Sequence, residues 1–289
     1  GYAVSLTAVT LAFFALSGIT FTLPFYLQIL RGYSVLQAGL LFLPFAVGQL
    51  IAAPRSAAMV LRFGYRTVIT GGLIIVAVSL LGIRLLQIDT PLWVLIVVFF
   101  LFGFGMGNVV APGSTVLQNV LPLARAGAGS AVQNTVRQVG GALGVAILGT
   151  VLATRYADNL RPVLDTLPPQ VPEAAKTAAS DSIVATAAIL ARAEEQGMPA
   201  SMVEQLKAGA YDAFLGASHL TTLISLAVVV IAAVVVGFLL PYIEPPTARM
   251  ERGEAPPPAD AADALVQREA IAYREELAEE VVPDPHDKR

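Results

Sequence analysis

The stretch SAVQNTVRQVGGALGVAIL, residues 130–148, places one permanently charged side chain, Arg137, in a segment otherwise apolar enough to cross a membrane. At about 100° per residue, Ser130, Gln133, Asn134, Arg137, Gly140, Gly141 and Gly144 fall on one helix face, while Val132, Val136, Val139, Leu143, Ala146 and Ile147 lie elsewhere. Such a stripe suits a bundle interior or a watery cavity. An arginine at mid-membrane depth costs at least about 2.5 kcal/mol on insertion scales, so it faces protein or water and takes a partner. Carboxylates are scarce: no Asp or Glu precedes Asp89, and none lies between Asp89 and Asp158. The remaining partners are carbonyls, the amides of Gln133 or Asn134, water, an anionic group on a substrate, or an acid from sequence not shown. Arg137 also lies a few residues from one end of its segment, and snorkelling to the interface is the alternative reading.

Other polar residues in apolar surroundings are Gln28, Gln49, Asn108, Gln118, Asn119 and His219. Each either lines a pathway or bridges two helices. Gly103 with Gly107, and Gly140 with Gly144, form small-xxx-small pairs that suit close helix packing. The chain has no cysteine, which removes disulfides, thiolate catalysis and Cys-ligated zinc, and His219 and His286 are too few and too distant for a metal cluster. No HExxH, Ser/His pair or carboxylate pair lies in the apolar segments, so an enzyme, a resident metal and a cofactor are not expected. A formal charge of −3 from near-balanced totals gives no sign of nucleic-acid binding.

Around these residues the composition is that of a membrane protein, with 56% hydrophobic and 13% charged residues and a mean hydropathy of +0.70. A bilayer core of about 30 Å needs roughly 20 mostly apolar helical residues. Six segments qualify: 4–29, 36–54, 67–87, 91–118, 129–153 and 216–241. Pro24, Pro44 and Pro112 fall in or near them and are expected to kink them. Arg55, Arg62 and Arg66 follow the second segment and Arg125 follows the fourth, which makes those loops cytoplasmic; Arg31, and Arg84 with Asp89, mark the outward loops. Both ends of the chain are then expected in the cytoplasm.

Between the fifth and sixth segments, residues 154–215 are expected outside. PEAAKTAASDSIVATAAILARAEEQG reads as helix ending at Gly197, and a second short helix is expected after Ser201, whose spacing to Glu204 fits a capping box. This segment is either a small helical cap or a partly ordered loop without a role. From Pro241 the chain turns proline-rich and then acidic, which suits a disordered cytoplasmic tail over 242–289. The chain opens with Gly1 inside an apolar stretch, with neither a start methionine nor signal-peptide features, and reads as a piece of a longer protein.

LPFYLQILRGYSVLQAGLLFLPFAVGQL (23–50) and SAVQNTVRQVGGALGVAILGTV (130–151) resemble the major facilitator superfamily, in its fourteen-spanner drug:proton antiporter branch of EmrB/QacA type, C-terminal half. AAMVLRFGYR (57–66) is similar to a worn copy of the superfamily's loop motif G-x-L-x-D-R-x-G-R. Arg62, Gly64 and Arg66 keep its basic and turn positions; Ala57 and Leu61 replace its first glycine and its aspartate, which puts the motif's charge-relay role in doubt. The resemblance implies an all-α membrane protein in which six transmembrane helices form the C-terminal bundle, with substrate bound at mid-membrane against an N-terminal half absent here. It implies protons as coupling partner and the acid that carries them in that other half, since the six segments hold no carboxylate. Candidate cavity residues are Phe21, Tyr26, Gln28, Gln49, Asn108, Gln133, Asn134 and Arg137, with Phe14, Phe45 and Phe104 as further aromatic faces. The function expected is proton-driven multidrug efflux; a half-size transporter needing a partner chain, and a membrane scaffold without transport, are the alternatives.

Overall fold

The computed structural model describes residues 2–119, 126–167, 171–195 and 198–240, and those residues form helices and short connections without a strand. Arg125 and the segment 242–289, read above as an orientation anchor and a tail, lie outside them. The elements are α1 (Tyr2–Phe25) with a π-helical turn (Tyr26–Leu30), α2 (Val35–Leu41), α3 (Leu43–Arg84), α4 (Leu92–Asn119), α5 (Ala126–Asp165), α6 (Glu173–Asp181), α7 (Ile183–Glu195) and α8 (Ala200–Leu239). Five helical stretches are long and apolar enough to cross a membrane: Leu6–Leu30, Val35–Arg84, Leu92–Thr115, Ala131–Asp165 and Ala200–Leu239. The chain is an all-α membrane protein.

Val35–Arg84 holds two legs. The 42 residues of α3 would span about 63 Å as a straight helix, twice a bilayer core. Gly64, at φ +79° and ψ 160°, interrupts it in a conformation that only glycine adopts without strain. Contacts with α4 give the direction of each leg. Phe45 meets Gly103 and Gln49 meets Gly107, so the first leg runs parallel to α4; Gly82 meets Val98 and Gly72 meets Val109, so the second runs antiparallel. The chain therefore reverses at Gly64.

The prolines act unequally. Pro24 is followed by the π turn, in which the Arg31 N–H reaches the Tyr26 carbonyl, because a missing N–H upsets the helical ladder. Pro44 produces no mid-helix kink: it sits in the first turn of α3, where an absent N–H costs nothing. α4 runs unbroken through Pro112.

α5 and α8, at 40 residues each, overshoot a bilayer core and pair beyond it, where the Asn159 amide donates to the Ala213 carbonyl (3.2 Å). The separate short helix expected after Ser201 is not there. α8 begins at Ala200 with Pro199 as its N-cap and no side-chain cap bond, and it continues into the last apolar stretch. Nothing in 201–216 is strong enough to stop a helix, since Gly209 and Gly216 are tolerated at roughly 1 kcal/mol each. The capping box belongs to α2, where Ser34 and Gln37 bond reciprocally. The helix expected upstream of Gly197 is split at Ser182, whose hydroxyl accepts from the Ala185 N–H. Tyr156 and Thr186 tie α7 to α5: the Thr186 hydroxyl donates to the Ala179 carbonyl, so the Tyr156 hydroxyl donates to it, at 2.7 Å.

Three side chains collect carbonyls of the connection that follows α3. Tyr26 donates to Gln87 (2.6 Å), Arg31 to Ile88 and Thr90, and His219 Nε2 to Leu86 (3.1 Å). His219 thus joins α8 to the connection that follows α3.

Candidate functional site

The site begins with two glycines. On α5, a Cβ at Gly140 would lie 2.6 Å from the Thr10 carbonyl oxygen, and one at Gly144 would lie 2.2 Å from that of Phe14. Only hydrogen fits there, so α1 and α5 run parallel in close contact. The same device seats α4 on the first leg of α3, where a Cβ at Gly103 would lie 1.9 Å from the Phe45 carbonyl oxygen and one at Gly107 2.7 Å from Ala52 Cβ.

Beside the α1–α5 crossing opens a cavity of about 500 Å³. From α1 come Phe13, Ser17, Thr20 and Phe21; from α5 come Asn134, Arg137 and Gly141. The Arg137 guanidinium lies over the Phe13 ring, 4.5 Å from its centroid, a cation–π geometry. Its Nε is buried without a hydrogen-bond partner among the described residues. Among the described residues, Arg137 is the only charged side chain of the lining. The cavity can present a planar cation and the Asn134 amide at one place and aromatic faces at another.

The candidates read from sequence part company here. Phe21, Asn134 and Arg137 share the cavity. Gln133, one position away, is buried and donates to the Ser114 hydroxyl of α4, which makes it a bridge between α4 and α5. Asn108 is buried and turns back on its own helix, donating to the Phe104 carbonyl (2.8 Å). Tyr26 is engaged with Gln87, Gln28 is half-buried in the π turn, and Gln49 is half-buried on the first leg of α3; none of the three lines this cavity. Arg62 is exposed with its guanidinium over the Phe63 ring (5.3 Å), Gly64 makes the reversal and Arg66 is half-buried just after it.

Phe13, Ser17 and Thr20 were missed. Their signal was spacing on α1: positions 13, 17, 20 and 21 repeat at three and four residues and form one face. Phe14, one of the aromatic residues named from sequence, instead turns its backbone to Gly144.

A helical membrane protein with glycine-seated crossings around a cationic cavity is the class that the fold and site define. Residues 3–145 match the family model described as Major Facilitator Superfamily. Among curated relatives, it is similar to the uncharacterized MFS-type transporter YhcA of Bacillus subtilis, with 34% identity over 145 residues, 50% of this chain and 27% of the relative. It is similar to the tetracenomycin C resistance and export protein of Streptomyces glaucescens, with 33% identity over 150 residues, 52% of this chain and 28% of the relative. Similarity to the multidrug efflux pump LfrA of Mycolicibacterium smegmatis runs further, with 32% identity over 233 residues, 81% of this chain and 44% of the relative. The chain thus spans less than half the length of these relatives.

Proposed function

We propose that this chain is the C-terminal half of a proton-coupled multidrug efflux antiporter that exports hydrophobic or amphiphilic small molecules by alternating access. The six legs form one bundle in the inner or plasma membrane, α6 and α7 lie outside, and both ends of the chain lie in the cytoplasm. The observation that carries the reading is the open cavity holding Arg137 and Asn134 between α1 and α5. A buried, unpartnered guanidinium nitrogen beside aromatic faces suits a binding wall better than a structural contact. The relatives' names, which speak of resistance, export and efflux, support the direction and the substrate class.

Proton coupling needs a group that titrates within the membrane. In this proposal the N-terminal half supplies it, together with the other wall of the substrate path, because the six apolar segments hold no carboxylate. Arg137 then positions an anionic group or lowers the pKa of that acid. The test is Arg137→Ala in the complete protein: drug-resistance transport is lost while membrane insertion and expression are retained. Unchanged transport at equal expression would overturn the proposal.

A further inference from the structure

We infer that the substrate path takes amphiphiles with an anionic end, the charge meeting Arg137 and the apolar body lying in a phenylalanine chamber on the neighbouring side of α1. This deepens the proposed export function and rests on it for calling the cavity a path. The chamber is a second cavity of about 180 Å³, into which Phe42, Phe45, Phe99 and Phe102 all contribute. Its rings are paired, Phe42 with Phe99 at 5.9 Å between centroids and Phe45 with Phe102 at 5.7 Å. Among the described residues, Thr20 is its only polar lining side chain.

The two cavities adjoin. Leu16 and Thr20, one turn apart on α1, line both. Phe13 lines the first and Leu23 the second, and ten helical residues span about 15 Å. That reach fits an elongated molecule with one polar end. Arg137 decides the sign of that end, since among the described residues it is the only charged side chain lining either space. Phe13 covers one face of its guanidinium, and Nε is buried without a hydrogen-bond partner among the described residues, which leaves the terminal nitrogens as the donors for a ligand. An anion can accept charge-assisted hydrogen bonds there, whereas a cationic end meets a like charge in a partly desolvated site.

The experiment compares 2-naphthalenesulfonate with 2-naphthylmethylammonium, which share one aromatic body and differ in sign. Each is dialysed to equilibrium against the complete protein in uncharged detergent, with protein-free detergent as baseline. The sulfonate is expected to bind about tenfold more tightly, a difference of about 1.4 kcal/mol. Arg137→Gln abolishes the preference, Arg137→Lys retains it, and Phe99→Leu weakens both probes while leaving their ratio unchanged. Equal affinities, a preference for the ammonium, or a preference that survives Arg137→Gln overturns the inference. Its failure is separable from that of the transport reading. Sulfonate preference without export from vesicles removes only the export function, and export without sulfonate preference removes only the anionic substrate class.

Discussion

Replacing Gly103 by alanine puts the helix seating to a quantitative test. A Cβ there would lie 1.9 Å from the Phe45 carbonyl oxygen and 2.6 Å from its carbonyl carbon, whereas real Cβ contacts essentially never fall below 3.0 Å. The obstacle is backbone, which cannot rotate aside, so α4 and the first leg of α3 must part by about 1 Å. Overpacking of this kind costs about 1–3 kcal/mol, and a backbone obstacle places it at the upper end. Against this, alanine in a helix gains about 0.5–1 kcal/mol over glycine. The net loss is about 2 kcal/mol, which corresponds to a Tm lower by roughly 4–8 °C for a domain of this size. Gly71→Ala is the control, because among the described residues nothing beyond its chain neighbours and its own helix backbone lies within 4 Å of a Cβ at that position. It makes the same helix-propensity gain without the clash, and its Tm is expected to hold or to rise by about 2–4 °C. The assay is thermal unfolding of the complete protein in detergent, read as the fraction that survives size exclusion after heating. If Gly103→Ala and Gly71→Ala melt at the same temperature, the glycine pairs do not set the helix spacing and the reasoning fails.

Gly64→Ala forces a side chain into φ +79°, a strain of about 1–3 kcal/mol, and a Tm lowered by several degrees is expected from the same assay. Gln133→Leu removes the bridge to Ser114 and is expected to cost about 1 kcal/mol of stability while transport per folded molecule persists. Asn134→Leu is expected to do the reverse, leaving Tm in place and changing the substrate profile, as measured by vesicle uptake. Tyr156→Phe removes a 2.7 Å bond to Thr186 but leaves Thr186 bonded to Ala179; losing about 1 kcal/mol should raise limited proteolysis of the 171–195 segment about fivefold.

The membrane helices were legible because twenty apolar residues in a row have few other uses, and the glycine pairs were legible because a four-residue spacing places both on one face. The fate of each polar residue was not. Gln133 and Asn134 belong to one polar stripe, yet the stripe is wide enough to meet two neighbours. Gln133 meets α4 and Asn134 the open cavity, a division set by how α5 is rotated against α1 rather than by the α5 sequence. Asn108 is a case of local competition, its amide taking the carbonyl four residues back in its own helix. The cavity itself needed α1, whose contribution is a face of Phe, Ser and Thr with no charge to draw attention to it. The first half of α8 escaped notice for a different reason: a capping pattern at Ser201 and Glu204 is common enough to occur inside a helix, and only the backbone before it shows where the helix starts.

Arg137 remains the residue around which these facts arrange themselves. Its insertion costs at least about 2.5 kcal/mol, and stacking on Phe13 returns about 0.5–2 kcal/mol depending on how dry the contact is. The two do not cancel where the contact is wet, so at rest the edges of the guanidinium must be served by the open cavity. A lysine would keep the charge but lose the stacking, because an ammonium has no plane to lay on the ring, and its more tightly held hydration makes the same depth costlier. A planar cation stacked on one face, with Nε buried and the side chain half-buried, keeps its terminal in-plane N–H groups as donors for a ligand group. Anion binding there replaces water with a partner of opposite sign while the Phe13 contact is kept, so the geometry that makes the arginine tolerable without a ligand also makes it selective when one arrives.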